Sequence, residues 1–330
     1  MNVRLSTTLQ LTLFSTILMG AIWWNASASS QQDRISRVGL LNPNSPAIAR
    51  RYVEAFRDEL RRLGYVEHRN LVIEARYAEG NAERLNALAA ELAQHKVDVL
   101  FAPTEPALKA AKEAGAGIPI VTVSCDPLEK LLGSLSRPGG NATGFSCVSS
   151  DLAGKRLNLL KSLVPNLKNV AMLYNVWDAY EPDLRNVETS AQVLGLSVGR
   201  FPVQSMADFE PAFAAMEKEG RQAVYISLSG FANFHRRTFA QLALKHRLPS
   251  VFGFREFPEE GGLLSYGASN SDGYRRAAYF VDRILKGASP KDLPAEEPTR
   301  FELVINAKTA AALGLTIPNA IFVQADEVIE

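Results

Sequence analysis

Polar and aromatic side chains follow the predicted strands of this chain, where a sheet could present them to a ligand. The candidates are Asn42 and Ser45 after the first strand, Thr104 and Glu105 after the third, Ser124 and Asp126 after the fourth, and Asn175, Trp177, Ser229 and Phe254 in the second half of the chain. In open parallel sheets, ligands bind outside the carboxyl ends of the strands. This set of hydroxyls, amides, carboxylates and rings therefore predicts recognition of a small polar molecule and implies no covalent chemistry.

The residue types also predict which part of such a molecule each group would hold. A ligand carboxylate would accept hydrogen bonds from hydroxyls and from N–H groups at helix starts, as at Ser45 and Thr104. An amino group on the ligand would need a carboxylate, such as Asp126 or Glu105. One polar end of the ligand would thus meet hydroxyls and the other would meet an acid.

An aromatic or apolar portion of the ligand would need a ring surface such as Trp177 or Phe254. Several of the candidates also have a simpler structural interpretation. Ser45 and Thr104 could act only as helix N-caps. Asp126 could only begin an Asp-Pro turn, and Trp177 could be a half-exposed packing residue. The occurrence of several such residues at strand ends in both halves favours binding.

The chain carries none of the catalytic motifs G-x-S-x-G, H-E-x-x-H and G-x-x-x-x-G-K-[ST]. The glycine-rich stretch 137–144 precedes a strand and does not link a strand to a helix, so it does not resemble a phosphate-binding loop. The four histidines, at positions 68, 95, 235 and 246, make no metal-ligand spacing with a cysteine or with one another. We therefore expect no enzyme activity, no metal and no cofactor.

The elements that would position the candidates alternate between strand and helix. Apolar strands are predicted at 37–41, 97–102 and 119–123, and a second set begins with a strand at 169–174. Strands that alternate with 10–15-residue helices indicate βαβ units and parallel sheets. About 300 residues beyond the first 28 are enough for two domains of about 150 residues. We predict an α/β fold of two doubly wound parallel-sheet lobes.

The first 28 residues predict a secretory signal peptide. Arg4 gives a positive start, residues 9–24 are mostly apolar without a charge, and Ala26-Ser27-Ala28 matches the small-x-small pattern that a signal peptidase cuts. The alternative is an uncleaved anchor, because residues 5–24 approach the roughly 20 residues that a membrane span needs. No cysteine follows the apolar stretch, which argues against a lipoprotein. We expect the mature chain to be exported to the periplasm.

The composition argues against nucleic-acid and membrane partners, and it leaves open whether the two cysteines form a disulfide. The net charge of +1 gives no electrostatic footprint for nucleic acid or for a membrane surface. Two cysteines, Cys125 and Cys147, each follow a predicted strand. In an oxidising compartment they could form a disulfide, or they could be two small buried apolar side chains.

Seven stretches resemble the ABC-transporter substrate-binding proteins of the tryptophan/tyrosine type, which have a type I periplasmic binding fold. They are Phe56–Glu67, Arg137–Gly144, Gly154–Leu157, Gly253–Phe257, Gly261–Gly267, Phe301–Asn306 and Ala325–Ile329. Together they cover the mature chain in order. The resemblance implies two lobes joined by a hinge, a ligand in the cleft, and delivery to a membrane permease with an ATPase. Some family members resemble binders of aromatic amino acids.

The chain both follows and departs from the family pattern in the loops after its strands. The positions that match are Thr104, Asp126 and Asn175. The positions that depart are Glu105, Cys125 and Trp177. The loop with Glu105 usually reads like Gly-Thr-Pro-Ala in the family, and the loop with Cys125 usually reads like Gly-Asp-Pro-Val. Trp177 follows Asn-Val, where the family often has Asn-Pro. The ligand can therefore differ from that of family members whose ligand is known.

These observations predict a monomeric periplasmic solute-binding protein. We expect a signal peptide at 1–28, a first lobe of 34–146 plus about 268–292, and a second lobe of 147–267 plus about 293–330. The lobes would close over a small polar or amphipathic ligand, such as an aromatic amino acid or a related carboxylate, and pass it to an ABC permease in the inner membrane. The alternative is a periplasmic sensor component that passes a ligand signal to a membrane receptor.

Overall fold

The computed structural model describes residues 35–115, 117–124, 128–146, 152–177, 179 and 181–330. The predicted signal peptide, the candidate Asp126 and the two cysteines Cys125 and Cys147 lie outside the described residues. Across the described part of the chain, no helix is both long enough and apolar enough to cross a membrane.

The first sheet has five strands, all parallel. They are β1 (Ser36–Asn42), β2 (Leu71–Tyr77), β3 (Val99–Phe101), β4 (Ile120–Ser124) and β5 (Ala142–Ser146). Their order across the sheet is β2-β1-β3-β4-β5, and each neighbouring pair is parallel. Strands β3, β4 and β5 are buried along their whole length, as expected when helices cover both faces of a parallel sheet.

The second sheet has seven strands. They are β6 (Asn169–Asn175), β7 (Ser197–Val203), β8 (Ala223–Ile226), β9 (Ser250–Phe252), β10 (Leu264–Gly267), β11 (Glu302–Asn306) and β12 (Glu327–Ile329). Their order is β12-β11-β10-β9-β8-β6-β7, and only the pair of β10 with β11 is antiparallel. β11 departs from the predicted parallel arrangement because it enters from the returning tail and not from a βαβ crossover.

The helices alternate with these strands. In chain order they are α1 (Pro46–Arg62), α2 (Arg84–Gln94), α3 (Glu105–Ala114), α4 (Leu128–Leu132), α5 (Ala153–Leu163), α6 (Glu181–Val193), α7 (Phe209–Lys218), α8 (Gly230–Phe234), α9 (Arg236–Lys245), α10 (Glu256–Glu259), α11 (Asn270–Leu285), α12 (Ala307–Ala312) and α13 (Asn319–Phe322). The predicted α/β architecture of two lobes built on parallel sheets is confirmed.

Helix α1 shows how the sequence fixes an element beside the cleft. The Ser45 side chain accepts a hydrogen bond from the Ile48 N–H, and Pro46 occupies the first helical turn, where it needs no hydrogen-bond partner for its nitrogen. The buried face of the helix packs against α11 and the sheet, and Phe56 stacks on Phe101 with ring centroids 4.7 Å apart. The start of α1 is therefore held rigidly at the end of β1.

The described chain passes between the two sheets at three places. The segment after β5 leads to α5, the segment after β10 leads to α11, and the segment after Leu293 leads to β11. Helix α11 packs in the core of the first sheet although it follows a strand of the second. The hydroxyl of Thr143 in β5 donates to the Leu293 carbonyl at 2.7 Å, so the third crossing starts beside β5. We propose these crossings as the lobe boundaries.

Two predicted helix boundaries were wrong for local reasons. The residue pattern predicts a helix from Asn81 to about Gln94, but α2 begins at Arg84, because the Asn81 carboxamide oxygen accepts the Glu83 N–H in a turn before the helix. The pattern also predicts one helix over 233–246, but the structure has two helices, α8 and α9, which meet at His235.

Candidate functional site

The carboxyl edges of the two sheets face each other across a boundary between the lobes. The turn after β2 meets α8, so that a Cβ on Gly80 would lie 2.9 Å from the ring of Phe234. Helix α1, after β1, meets α10, after β9, where Arg51 binds the carboxylate of Glu259 at 2.8 and 2.9 Å. Both contacts join segments that follow carboxyl ends of strands. This boundary is where ligands bind in open α/β sheets.

Thr104 has the most unusual backbone among the predicted site residues. Its φ is +80° and its ψ is 155°, a conformation that costs a β-branched residue about 1–3 kcal/mol. Its hydroxyl makes no capping hydrogen bond to α3, and this buried oxygen has no partner among the described residues. Its amide nitrogen is fixed by a 2.8 Å bond to the Val123 carbonyl. The strain thus holds a hydroxyl at the start of α3 that does not act as a cap.

The other first-lobe candidates have structural partners. Ser45 caps α1, and Glu105 pairs with Lys109 one turn along α3 at 2.5 Å. The Asn42 side chain accepts from the Asn44 N–H and donates to the Tyr274 hydroxyl at 3.3 Å. These residues lie at the carboxyl edge of the first sheet, but their side-chain atoms already make bonds within the lobe.

Ser124 ends β4 and is fully buried within the same edge of the first sheet. Asp126, two residues further on, lies outside the described residues.

The second-lobe candidates divide into buried and exposed groups. Asn175 forms a turn, accepting the Trp177 N–H and donating to the Val203 carbonyl, and Ser229 caps α8 through the Ala232 N–H. Trp177 is 79% exposed, so its ring is available to cover a bound molecule.

Phe254 is placed differently, because it is buried in the second-lobe core and packs edge-on against Phe252 at 5.6 Å. Its ring contributes to the apolar packing beneath the strand ends in the described structure.

The structure also brings together a set of polar residues that the sequence did not predict. Tyr52 on α1 lies against Glu256 of α10 across the lobe boundary, and Arg236 of α9 lies close enough to affect the pKa of Tyr52. The Arg236 guanidinium donates to the Asn233 carbonyl at 2.9 Å. Tyr52 in turn packs on Tyr274, with ring centroids 5.5 Å apart. These residues connect both lobes at the cleft.

Burial is the largest influence on the pKa values of Tyr52 and Glu256. Glu256 is only 4% exposed, and burial raises the pKa of its carboxyl above the ordinary range. Burial also raises the pKa of Tyr52, and the nearby Glu256 carboxylate raises it further. Although the two groups are close, neither oxygen of Glu256 makes a hydrogen bond of good geometry with any described residue.

One signal in the sequence could have identified Glu256. It lies between β9 and β10 beside the apolar residues Phe254, Phe257 and Pro258, whereas acids are rarely buried unless they are paired. Tyr52, by contrast, lies on the apolar face of α1, where it looks like a core residue. Among the described residues, no group of three or more His, Cys, Asp and Glu side chains is placed to hold a metal ion.

Comparison with known proteins gives a consistent family assignment. Residues 44–329 match the family model described as ABC transporter substrate binding protein. A curated relative from Clostridioides difficile (strain R20291), named tyrosine-binding protein, is 23% identical over 292 residues, which cover 87% of this chain and 83% of the relative.

Two solved structures share the fold closely. One is the ABC domain from Streptococcus pneumonia in complex with L-Trp, with 25% identity and a TM-score of 0.82. The other is a conserved domain protein from Vibrio cholerae, with 26% identity and a TM-score of 0.83. Each comparison covers 89% of this chain and 100% of the solved chain.

Proposed function

Because this chain belongs to the ABC transporter substrate-binding protein family, we propose that it is the solute-binding component of an ABC importer. Its ligand is a small amphipathic molecule, an aromatic amino acid or a related carboxylate, held between the carboxyl edges of the two sheets. The family is one of solute-binding proteins, so the predictions of the family and of a protein without enzyme activity are both confirmed.

The ligand class is supported by one observation: the side chains at the cleft suit the aromatic amino acids named for the relatives. The Clostridioides difficile relative is named for tyrosine, and the Streptococcus pneumonia structure holds L-Trp. In this chain, the exposed ring of Trp177 supplies an apolar surface. The hydroxyl of Thr104, which makes no hydrogen bond within the described structure, supplies a donor. An amphipathic carboxylate uses both.

We assign the parts of the site as follows. The Thr104 hydroxyl and the first N–H groups of α3 hold the ligand carboxylate, with support from the start of α1 at Ser45. Asp126 receives an amino group from the side of the first lobe. Trp177 covers the apolar portion. Closure of the lobes is favoured by the contacts that the ligand makes with both of them.

We also propose where the protein works and which membrane partner it serves. The mature chain begins near Ser29, after removal of the signal peptide, and works in the periplasm as a monomer. It delivers its ligand to an ABC permease in the inner membrane. Closure of the two lobes on the ligand distinguishes the loaded protein from the empty one, and we propose that the permease recognises this difference.

The proposal is tested by measuring the melting temperature of the mature protein with aromatic amino acids, aromatic carboxylates and non-aromatic amino acids. A ligand that binds only the folded state adds about 2.7 kcal/mol of stability at one hundred times its dissociation constant. We expect an aromatic amino acid or carboxylate to raise the melting temperature and calorimetry to confirm one site. A shift only with non-aromatic compounds would contradict the ligand class, and no shift with any compound would contradict the proposal.

A further inference from the structure

Glu256 is an acid whose environment does not account for its charge. The residue opens the short helix α10 directly after β9, at the carboxyl edge of the second sheet, and is 4% exposed. Neither carboxylate oxygen makes a hydrogen bond of good geometry with a described residue, although the Tyr52 hydroxyl lies close to the carboxyl group. Burying an ionised carboxylate without a partner costs several kcal/mol. A buried polar group without a partner needs an explanation, and one explanation is a partner that arrives with a ligand.

The cations near Glu256 are already bound to other groups. Arg51 contributes to its electrostatic environment, but its Nη1 donates both of its bonds to Glu259. Arg236 directs its Nη1 to the Asn233 carbonyl and its Nη2 toward Glu260, 3.7 Å away. The Nε of Arg236 is buried and has no hydrogen-bond partner among the described residues. No described cation forms an ion pair with Glu256.

A second acceptor lies in the same region of the second lobe. Asn233 of α8 is 9% exposed, and its carboxamide oxygen also has no hydrogen-bond partner among the described residues. Arg236 connects the two acceptors, since it bonds to the Asn233 backbone and lies near Tyr52, which approaches Glu256. An ammonium group has three N–H donors and no acceptor, so it matches a carboxylate and a carboxamide oxygen.

We infer that Glu256 of α10, together with the unpartnered carboxamide oxygen of Asn233 on α8, forms a second-lobe subsite for an ammonium group of the ligand. The inference rests on the proposed function and narrows it from aromatic carboxylates in general to ligands that carry an amine. Because an ammonium group has three N–H donors, one such group can bind Glu256, Asn233 and one further acceptor.

The test is calorimetry on the mature protein with two pairs of probes. L-Tyrosine is compared with 3-(4-hydroxyphenyl)propanoate and L-tryptophan with 3-(indol-3-yl)propanoate, so that each pair differs only by the amine. Wild type should bind at least one amine-bearing probe roughly tenfold or more tightly than its deaminated analogue. Glu256→Gln should lose most of this preference and leave the binding of the analogue nearly unchanged.

Glu260→Gln is the matched control, because it removes the same charge four residues away, where the carboxylate is partly exposed and forms only long ion pairs of 3.7 and 3.8 Å. It should keep the preference for the amine. A preference retained in Glu256→Gln, or lost equally in both variants, would overturn the subsite while the proposed function stands. Equal binding of both members of each pair by wild type would do the same. Failure of all four probes to bind would contradict the proposed ligand class and this inference together.

Discussion

The guanidinium of Arg51 in the first lobe donates two hydrogen bonds from Nη1 to the carboxylate of Glu259 in the second lobe, at 2.8 and 2.9 Å. Glu259 also accepts from Arg255 of its own lobe at 3.0 Å. The pair lies beside Tyr52 and Glu256, so a bridge between the lobes is adjacent to the proposed amine subsite. Ion pairing across the boundary and ligand binding should therefore be linked.

The Arg51 bridge is tested by Arg51→Met. Because the pair is partly exposed, the loss should cost about 0.2–1 kcal/mol and weaken ligand affinity roughly two- to fivefold, by favouring separated lobes. Arg62→Met is the control, since Arg62 pairs with Glu59 within helix α1 and touches one lobe only. Calorimetry gives the affinity. Equal affinity in the two variants would mean that the bridge does not take part in closure.

Gly80 provides a steric test of closure. Its φ of +82° suits glycine, and a Cβ there would lie 2.9 Å from the Phe234 ring of the other lobe. Gly80→Ala should therefore lower both stability and ligand affinity, because the ring has to move before the lobes can meet.

Gly64→Ala separates strain from closure. Gly64 has a φ of +97°, but a Cβ there would have no neighbour within 4 Å. This variant should lose about 1 kcal/mol of stability without losing affinity. The melting temperatures and ligand dissociation constants of the two variants distinguish backbone strain from a contact that belongs to closure. If Gly80→Ala bound ligand as tightly as Gly64→Ala, the contact with Phe234 would not belong to the ligand-bound form.

The sequence predicted the parts of the fold that depend on local pattern. Buried apolar runs such as β4 and the cap at Ser45 follow from residue type and spacing. The antiparallel entry of β11 did not follow, because strand direction depends on where the tail returns. Local pattern therefore predicts elements better than it predicts their pairing.

The candidate site was less predictable for the same reason. Thr104 and Trp177 were found because they follow strands. Glu256 and Tyr52 were missed because their importance arises only when two segments more than 200 positions apart meet across the lobes. Residue type gives the chemistry of a side chain, but burial and partnership depend on long-range packing.

Thr104 should contribute to binding through its hydroxyl. Thr104→Val keeps the β-branched shape and removes the donor, and it should weaken a carboxylate ligand by roughly tenfold or more, since hydrogen bonds to charged groups contribute about 1.5–3 kcal/mol. Thr104→Ser should retain most of the affinity. Calorimetry with the ligand and with its carboxamide gives the comparison. A Thr104→Val protein that binds the carboxylate as well as Thr104→Ser does would remove Thr104 from the site.

Thr104→Gly tests the backbone strain separately. Glycine adopts a φ of +80° without a steric cost but loses more chain entropy on folding, by roughly 0.5–1 kcal/mol. Because the strain at a threonine is about 1–3 kcal/mol, the glycine variant should be as stable as wild type or more stable, while binding weakens. A clear loss of stability in chemical denaturation would show that the Thr104 conformation is not strained in the folded protein.

The raised pKa of Glu256 gives a stability prediction that is independent of any ligand. An unfolded chain ionises this carboxyl near its ordinary pKa of roughly 4.3, whereas burial makes the folded protein hold the proton to higher pH. Between these two pKa values the folded state binds more protons, so stability falls as pH rises. Arg51, Glu259 and Tyr52, which face the carboxylate, stay the same in a Glu256→Gln protein, so the difference between the proteins isolates this one group.

Glu256→Gln without ligand should therefore melt above wild type at about pH 7.5, where the buried carboxyl of wild type lowers the stability of the folded state. The difference should shrink as the pH falls toward 4, because Glu256 then becomes protonated in the unfolded state as well. Glu260→Gln should show no such pH-dependent gain. Replacing a residue that stabilises the fold lowers the stability of the protein. Replacing one that is retained for ligand binding raises the stability and weakens the binding. A lower melting temperature for Glu256→Gln at pH 7.5 would assign Glu256 to the fold.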